Sequence, residues 1–376
     1  MPAEVLNAMH RQPMDHGDPR LDRTITAIES GLKRLLQTSQ SDVYMFASNG
    51  HGAWETTIEN LLGPGQAVLI PGTGHFSDSW ANQVEGLGRR AIRTPYVAGY
   101  PIDASVVEQA LRADDKREIV AVFVVHTDTA SGTTNDLRAM RAAIDAASHP
   151  ALFVVDVVAS LAAAPFAMDE LGVNVAVGAS QKGLMVPPGV GFVAVDARAF
   201  AVAAKNPAPR FYWDWVRRKA ELSYRKFCGT PPQNLLFGLE ASLALLFDEG
   251  LEQVFARHAL LARTVHVAVD CWSREGALKN HCRVAQARSV SVTAIEVRDG
   301  IDPEALRSLA RERFQVAIAG GLGSLTGRAF RIGHLGDLNA PMIIGCLAGI
   351  EAAMTVQRIP FGRDGVQQAI ACLAKG

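Results

Sequence analysis

Between about Asp42 and Asp196, short and nearly continuous apolar runs recur: VYMFAS, AVLIPG, RAIRTPYV, IVAVFVVHT, LFVVDVVAS, VNVAVGAS and VGFVAVD. A strand that is apolar on both faces must be covered on both faces. The segments between the runs supply that cover, since stretches such as DLRAMRAAIDAASH place apolar residues three or four apart, at helical spacing. The pattern predicts an α/β layer in which a mainly parallel seven-stranded sheet is flanked by helices.

The character changes after Pro207. A tryptophan-rich stretch, FYWDWVRRKAELSYRKF, leads to the turn Gly229-Thr230-Pro231-Pro232 and then to one long helical pattern from Gln233 to about Phe255, read as a bridge between domains. Beyond it, SVSVTAIEV, DPEALRSLARERF, QVAIAG, AFRIGHLG and MIIGCLAGIEAAM alternate as strand, helix, strand, strand and helix, a smaller α+β unit. The expected division is 17–245 for the large domain and 246–376 for the small one, with 1–16 packing on the latter. A chain of 376 residues suits two such units better than one core.

The 48% hydrophobic and 20% charged content describes a chain that folds, and a net charge of −1 without a basic stripe excludes nucleic acid as an expected partner. Cys228, Cys271, Cys282, Cys346 and Cys372 are scattered and form no CxxC pair, which points to a reducing compartment and away from a metal site. No long apolar run predicts a membrane span, and the N-terminus lacks the form of a signal peptide, so cytoplasmic residence is expected.

In open parallel sheets ligands bind beyond the carboxyl ends of the strands, and the suggestive polar residues fall there. After the first run comes Asn49-Gly50-His51-Gly52, a small-residue turn entering a helix, able to direct backbone N–H groups at a phosphate. After the second comes Phe76, either a flat lid for a ring or a core aromatic. After the fourth comes His126-Thr127-Asp128-Thr129, rich in hydroxyls. Asp156 closes the fifth run, as a helix cap or as a buried charge in need of a cation. Gln181 and Lys182 follow the sixth, and a lysine against an apolar wall is a usable amine nucleophile. A carboxylate that can face a protonated ring nitrogen, with a lysine after the next strand that can form an imine, suggests an enzyme holding pyridoxal phosphate (PLP).

The pieces SNGHGAWE, GHFSDSW, HTDTASG, VVDVVAS, SQKG, the GTPP turn and FRIGHLGDLN, in this order, resemble the class V aminotransferases of PLP fold type I. The likeness is nearest to the alanine/serine-glyoxylate group and spans essentially the whole chain. It implies that Lys182 binds the cofactor aldehyde and Asp156 its pyridine nitrogen. It also implies that Asn49, Gly50, His51 and Gln181 approach the phosphate or its edge of the ring, Thr129 approaches the phenolic side, and Phe76 stacks on the ring. Thr230 would reach the cofactor phosphate of a partner subunit, making a homodimer, and Arg331 would hold the substrate carboxylate with its planar fork.

The implied reaction moves an amino group from a small L-amino acid (serine, alanine or aspartate) to a 2-oxo acid such as glyoxylate or pyruvate, with ping-pong kinetics. Two departures from the family pattern stand out: Phe227 where tyrosine is common, removing one expected phosphate hydroxyl, and Asp128 where glutamate is usual. A dicarboxylic donor would need a second cation, for which His16, Arg20 and His51 are candidates. The alternatives are a lyase of the same fold, which as a C–S lyase would need a mobile cysteine such as Cys282, and a non-catalytic homologue. A dinucleotide enzyme is disfavoured because SNGHGAWE lacks the GxGxxG spacing.

Overall fold

Each apolar run of the first half forms a strand, and residues alternate between two buried faces as strand geometry requires. In the strand Ile119–Val125, Val122 and Val124 face one apolar cluster, whereas Ala121, Phe123 and Val125 face another. In Leu152–Asp156 the split is Phe153 and Val155 against Leu152 and Val154. The computed structural model describes residues 1–375.

Its strands are β1 (Asp42–Ser48), β2 (Ala67–Ile70), β3 (Arg90–Arg93), β4 (Ile119–Val125), β5 (Thr127–Asp128), β6 (Thr133–Thr134), β7 (Leu152–Asp156), β8 (Val175–Ala179) and β9 (Gly189–Val195), then β10 (Leu278–Asn280), β11 (Val292–Val297), β12 (Ala319–Gly320) and β13 (Ala329–Gly333). Seven of them make one sheet in the order β1-β9-β8-β7-β4-β2-β3. Only β9 runs against the rest, being antiparallel to both β1 and β8. β5 and β6 form a small separate hairpin after β4. The register pairs Val125 with Asp156 and Asp156 with Val177, so the ends of β4, β7 and β8 lie side by side.

One face of the sheet is covered by the helices Pro19–Leu36, Leu137–Ala146 and Gln233–Glu249, and the other by Gly50–Leu61, His75–Gly86 and Ala197–Lys205. A third cluster joins the antiparallel sheet β10-β11-β13-β12 to the helices Leu251–Trp272, Pro303–Phe314 and Ala340–Val356 through Leu261, Ile295, Phe330 and Leu347. Among the described residues no helix is long and apolar enough to cross a membrane.

One sequence expectation changes. The single helix expected from Gln233 to Phe255 is two helices broken at Gly250, whose φ of 88° is a left-handed value that a continuing helix does not allow. The first helix, Ala3–Met9, packs on Gln233–Glu249. Val5 enters the same cluster as Leu236, Phe237 and Leu239, and Asn234 Nδ2 donates to the Met9 carbonyl at 2.7 Å.

Candidate active site

The carboxyl ends of β1, β2, β4, β7 and β8 converge on a cavity of about 180 Å³. Of the residues expected at the site, Asn49, Gly50, His51, Phe76, Thr129, Asp156, Gln181 and Lys182 all line it, together with Trp54 and Thr127. A larger cavity of about 680 Å³, lined by Tyr96, Val97 and Tyr100 among others, contains no lysine, arginine or histidine and offers no comparable chemistry.

Asn49 caps the helix Gly50–Leu61: its Oδ1 accepts from the backbone N–H groups of His51 (3.1 Å) and Gly52 (3.3 Å). The positive end of that helix therefore opens on the cavity. One turn on, the Trp54 indole Nε1 donates to Asp156 Oδ2 at 2.9 Å, while the Val158 backbone N–H donates to Asp156 Oδ1 at 2.6 Å. Burial raises the Asp156 carboxyl to about 7; these two donors and the Lys182 charge oppose the rise, and Asp128 adds to it. Lys182 moves downward, first through burial and then through the nearby Arg331 charge, with Asp156 pulling the other way. For both groups the loss of water outweighs their attraction for each other. The Oε1 of Gln181 is buried without a partner among the described residues.

Behind Asp156, His126 donates its backbone N–H to the Asp156 carbonyl at 2.9 Å and its ring Nδ1 meets Ser160 Oγ at 2.8 Å. Asp128, which stands where glutamate is usual, ties loops together. Its Oδ2 accepts from the Phe76 backbone N–H (2.8 Å), and its Oδ1 accepts from the N–H groups of Ala130 (2.8 Å) and Ser131 (3.1 Å). Phe76 is half-buried and meets the Trp54 ring edge-on at 6.3 Å.

Arg331 approaches from the small sheet, on β13. Its Nη1 donates to the Thr129 carbonyl and its Nε to the Gly320 carbonyl, both at 2.7 Å, so the guanidinium spans the seam between the two units. Burial lowers its pKa, with Asp128 opposing.

Several expected residues lie elsewhere. Thr230 lines a separate depression with Pro13, Pro231 and Gln233. Phe227 is buried in the large core, beside the helices Pro19–Leu36 and Gln233–Glu249. His16 is exposed, and Arg20 is folded back on Asp18 with Nη2 to Oδ2 at 2.5 Å. Neither serves this chain's own cavity. Cys282 is buried, its Sγ directed at the Val284 carbonyl, and it is not part of the cavity. Among the described residues no group of three or more His, Cys, Asp or Glu is placed to hold a metal ion. Trp54 is the site residue that sequence reasoning missed. The available signal was an indole one helical turn after a glycine-rich turn, in GHGAWE.

A mainly parallel sheet with a buried carboxylate at one strand end, a buried lysine after the next, and an arginine reaching it from the smaller sheet defines a PLP enzyme of fold type I. The family described as Aminotransferase class-V matches residues 3–332. The chain is 39% identical, over 96% of its length and 90% of the relative's, to an L-aspartate–glyoxylate aminotransferase of Paracoccus denitrificans. It is 37% identical, over 94% and 88%, to a serine–glyoxylate aminotransferase of Methylorubrum extorquens. Among solved structures it resembles the ureidoglycine–glyoxylate aminotransferase of Bacillus subtilis with a TM-score of 0.90, at 25% identity, covering 100% of this chain and 95% of that one. The chain belongs to the class V aminotransferases. It is a PLP-dependent aminotransferase.

Proposed function

We propose that this enzyme moves the amino group of a small L-amino acid (serine, alanine or aspartate) to a 2-oxo acid such as glyoxylate or pyruvate, by a ping-pong mechanism and as a cytoplasmic homodimer. The observation that carries this reading is the nearness of Asp156, Lys182 and Arg331: the charge of Lys182 acts on Asp156, and those of Arg331 and Asp156 act on Lys182. Relatives named for glyoxylate as acceptor support the substrate class.

The residues present fit the cofactor. Asp156 is a buried carboxylate with two hydrogen-bond donors and no ion pair among the described residues, a site that favours a protonated ring nitrogen. The orphaned Oε1 of Gln181 and the N-terminal end of the helix Gly50–Leu61 suit the polar and anionic edge of the same molecule. When bound, PLP supplies the aldehyde that takes up the amino group and the ring that withdraws electrons from the substrate.

The chain's own part is positional and protonic. Burial keeps a fraction of Lys182 as free amine, the form that attacks a carbonyl and, once released, takes the proton from the donor's Cα. Asp156, once ionised, holds the proton on the ring nitrogen. Arg331 grips the substrate carboxylate, and its bonds to Thr129 and Gly320 preset the fork. Thr230 is assigned to the cavity of the partner subunit, consistent with its position away from the cavity of its own chain.

The test is to mix the PLP-loaded enzyme with each donor in the absence of acceptor and follow both the cofactor's absorption and the released 2-oxo acid. Stoichiometric release of 2-oxo acid, with the absorption restored by glyoxylate or pyruvate, is expected. Release of sulfide, ammonia or a carbon fragment in place of the 2-oxo acid would make the enzyme a lyase.

A further inference from the structure

Resting on the transamination reading above, the structure points further, to the class of donor. Arg331 accounts for one carboxylate. Two acids near the cavity are already committed, Asp156 to Trp54 and Val158 and Asp128 to three backbone N–H groups, and among the described residues Asp156 is the only acid lining it. The other polar side chains lining it are neutral amides and hydroxyls, Asn49, Thr127, Thr129 and Gln181, together with His51 and Lys182.

Two imidazoles flank Phe76. His51 lines the cavity, rests against the Trp54 ring at 4.7 Å, and has only a long contact to Ser79 Oγ, 3.5 Å from its Nε2. His75 immediately precedes Phe76 and meets that ring edge-on at 5.2 Å. On its other side it touches the small unit: a Cβ built on Gly323 would lie 2.9 Å from His75 Nδ1, an approach that only glycine permits. The same glycine-rich turn begins at Gly320, whose carbonyl receives the Arg331 Nε. His75 thus bridges the wall that carries Phe76 and the wall that carries Arg331. Among the described residues neither ring nitrogen of His75 has a hydrogen-bond partner. The two rings are close enough that the charge of His75, after burial, lowers the pKa of His51.

We propose that His75, assisted by His51, receives the side-chain carboxylate of a dicarboxylic amino donor while Arg331 holds its α-carboxylate. A second carboxylate between the two imidazoles would gain two charge-assisted hydrogen bonds, which serine or alanine cannot supply. In the full exchange the donor's amino group and Cα hydrogen pass to glyoxylate. An L-aspartate then leaves as its 2-oxo diacid and glyoxylate leaves as glycine, with no external oxidant or reductant.

The experiment compares kcat/KM for L-aspartate, L-serine and L-alanine, each with glyoxylate, in the PLP-loaded wild type, His75→Gln and His75→Lys. The wild type is expected to favour aspartate over alanine by about tenfold or more. His75→Gln is expected to reduce the aspartate-to-alanine ratio by about tenfold or more, mostly through KM for aspartate, and His75→Lys, which keeps a cation, to restore much of it. A wild type that favours serine or alanine, or a ratio unmoved by His75→Gln, overturns the proposal while leaving transamination intact. A parallel fall for all three donors assigns His75 a structural role and also overturns it. Absence of amino transfer from every donor would instead remove the reading on which it rests.

Discussion

The hydrogen bond from Trp54 to Asp156 provides a direct test of how the fold tunes the cofactor's carboxylate. In Trp54→Phe the ring remains but the Nε1–H that donates to Asp156 Oδ2 at 2.9 Å is lost. Hydrogen bonds to a charged group contribute about 1.5–3 kcal/mol, and one pH unit corresponds to about 1.4 kcal/mol, so the Asp156 pKa should rise by about one to two pH units. Starting from about 7, it would reach roughly 8 to 9.

If cofactor binding requires ionised Asp156, proton competition at about pH 7 then weakens binding roughly 5- to 50-fold, and the loss shrinks as pH rises above the new pKa. Equilibrium titration of apo-enzyme with PLP, followed by quenching of tryptophan fluorescence at about pH 7 and about pH 9.5, measures this directly. Trp80→Phe is the control for ring size. Trp80 is fully buried and stacked on Trp54 at 5.1 Å, but its own Nε1 has no partner among the described residues. That variant should lose stability without a pH-dependent loss of affinity. Equal affinities for wild type and Trp54→Phe at pH 7, or a deficit that persists undiminished at high pH, would refute the reasoning.

Three other outcomes are expected. Because Asp156 is raised to about 7 in the fold and ionises from about 3.8 in the unfolded chain, the folded apo-protein binds more protons between these values. Its stability should fall by up to about 4 kcal/mol as pH rises from about 4 to 7, and Asp156→Asn should flatten that part of the curve in denaturant titrations. If Thr230 serves the partner's cavity, a Lys182→Ala variant refolded with an inactive Thr230 variant should recover about one-quarter of wild-type activity, since half the dimers then carry one intact site; no recovery would place Thr230 in its own subunit's chemistry. Gly250→Ala should lower the melting temperature, corresponding to a loss of more than about 1 kcal/mol, because φ is 88° and the new Cβ would lie 2.5 Å from Gln253 Oε1.

What could be read from the sequence follows the physics of burial. The seven strands were legible because both their faces are covered, which forces near-continuous apolar runs that no loop would carry. Site residues were legible through the same runs: in a parallel sheet ligands bind beyond the carboxyl ends of the strands, and Asn49, Phe76, Thr129, Asp156 and Lys182 lie at or within a few residues of those ends. By contrast, β10 has only three residues, with Lys279 exposed between Leu278 and Asn280, too short to show a period. The break at Gly250 lay within a pattern that stayed apolar on both sides of it.

The harder failures concern partners that sequence distance hides. Asp128 stands in the sequence only as an aspartate where glutamate is usual, and nothing local shows that three backbone N–H groups claim it, one of them from the helix after β2. Trp54 was passed over because its indole proton has meaning only opposite Asp156, more than a hundred residues away along the chain. About twice that distance separates Arg331 from Thr129, although a hydrogen bond joins them. A resemblance transfers the positions that carry a reaction, whereas the contacts that set their pKa values and preset their geometry become visible only when the chain is folded. For this enzyme those contacts, at Trp54, Asp128 and Thr129, are where the tuning of Asp156 and Arg331 resides.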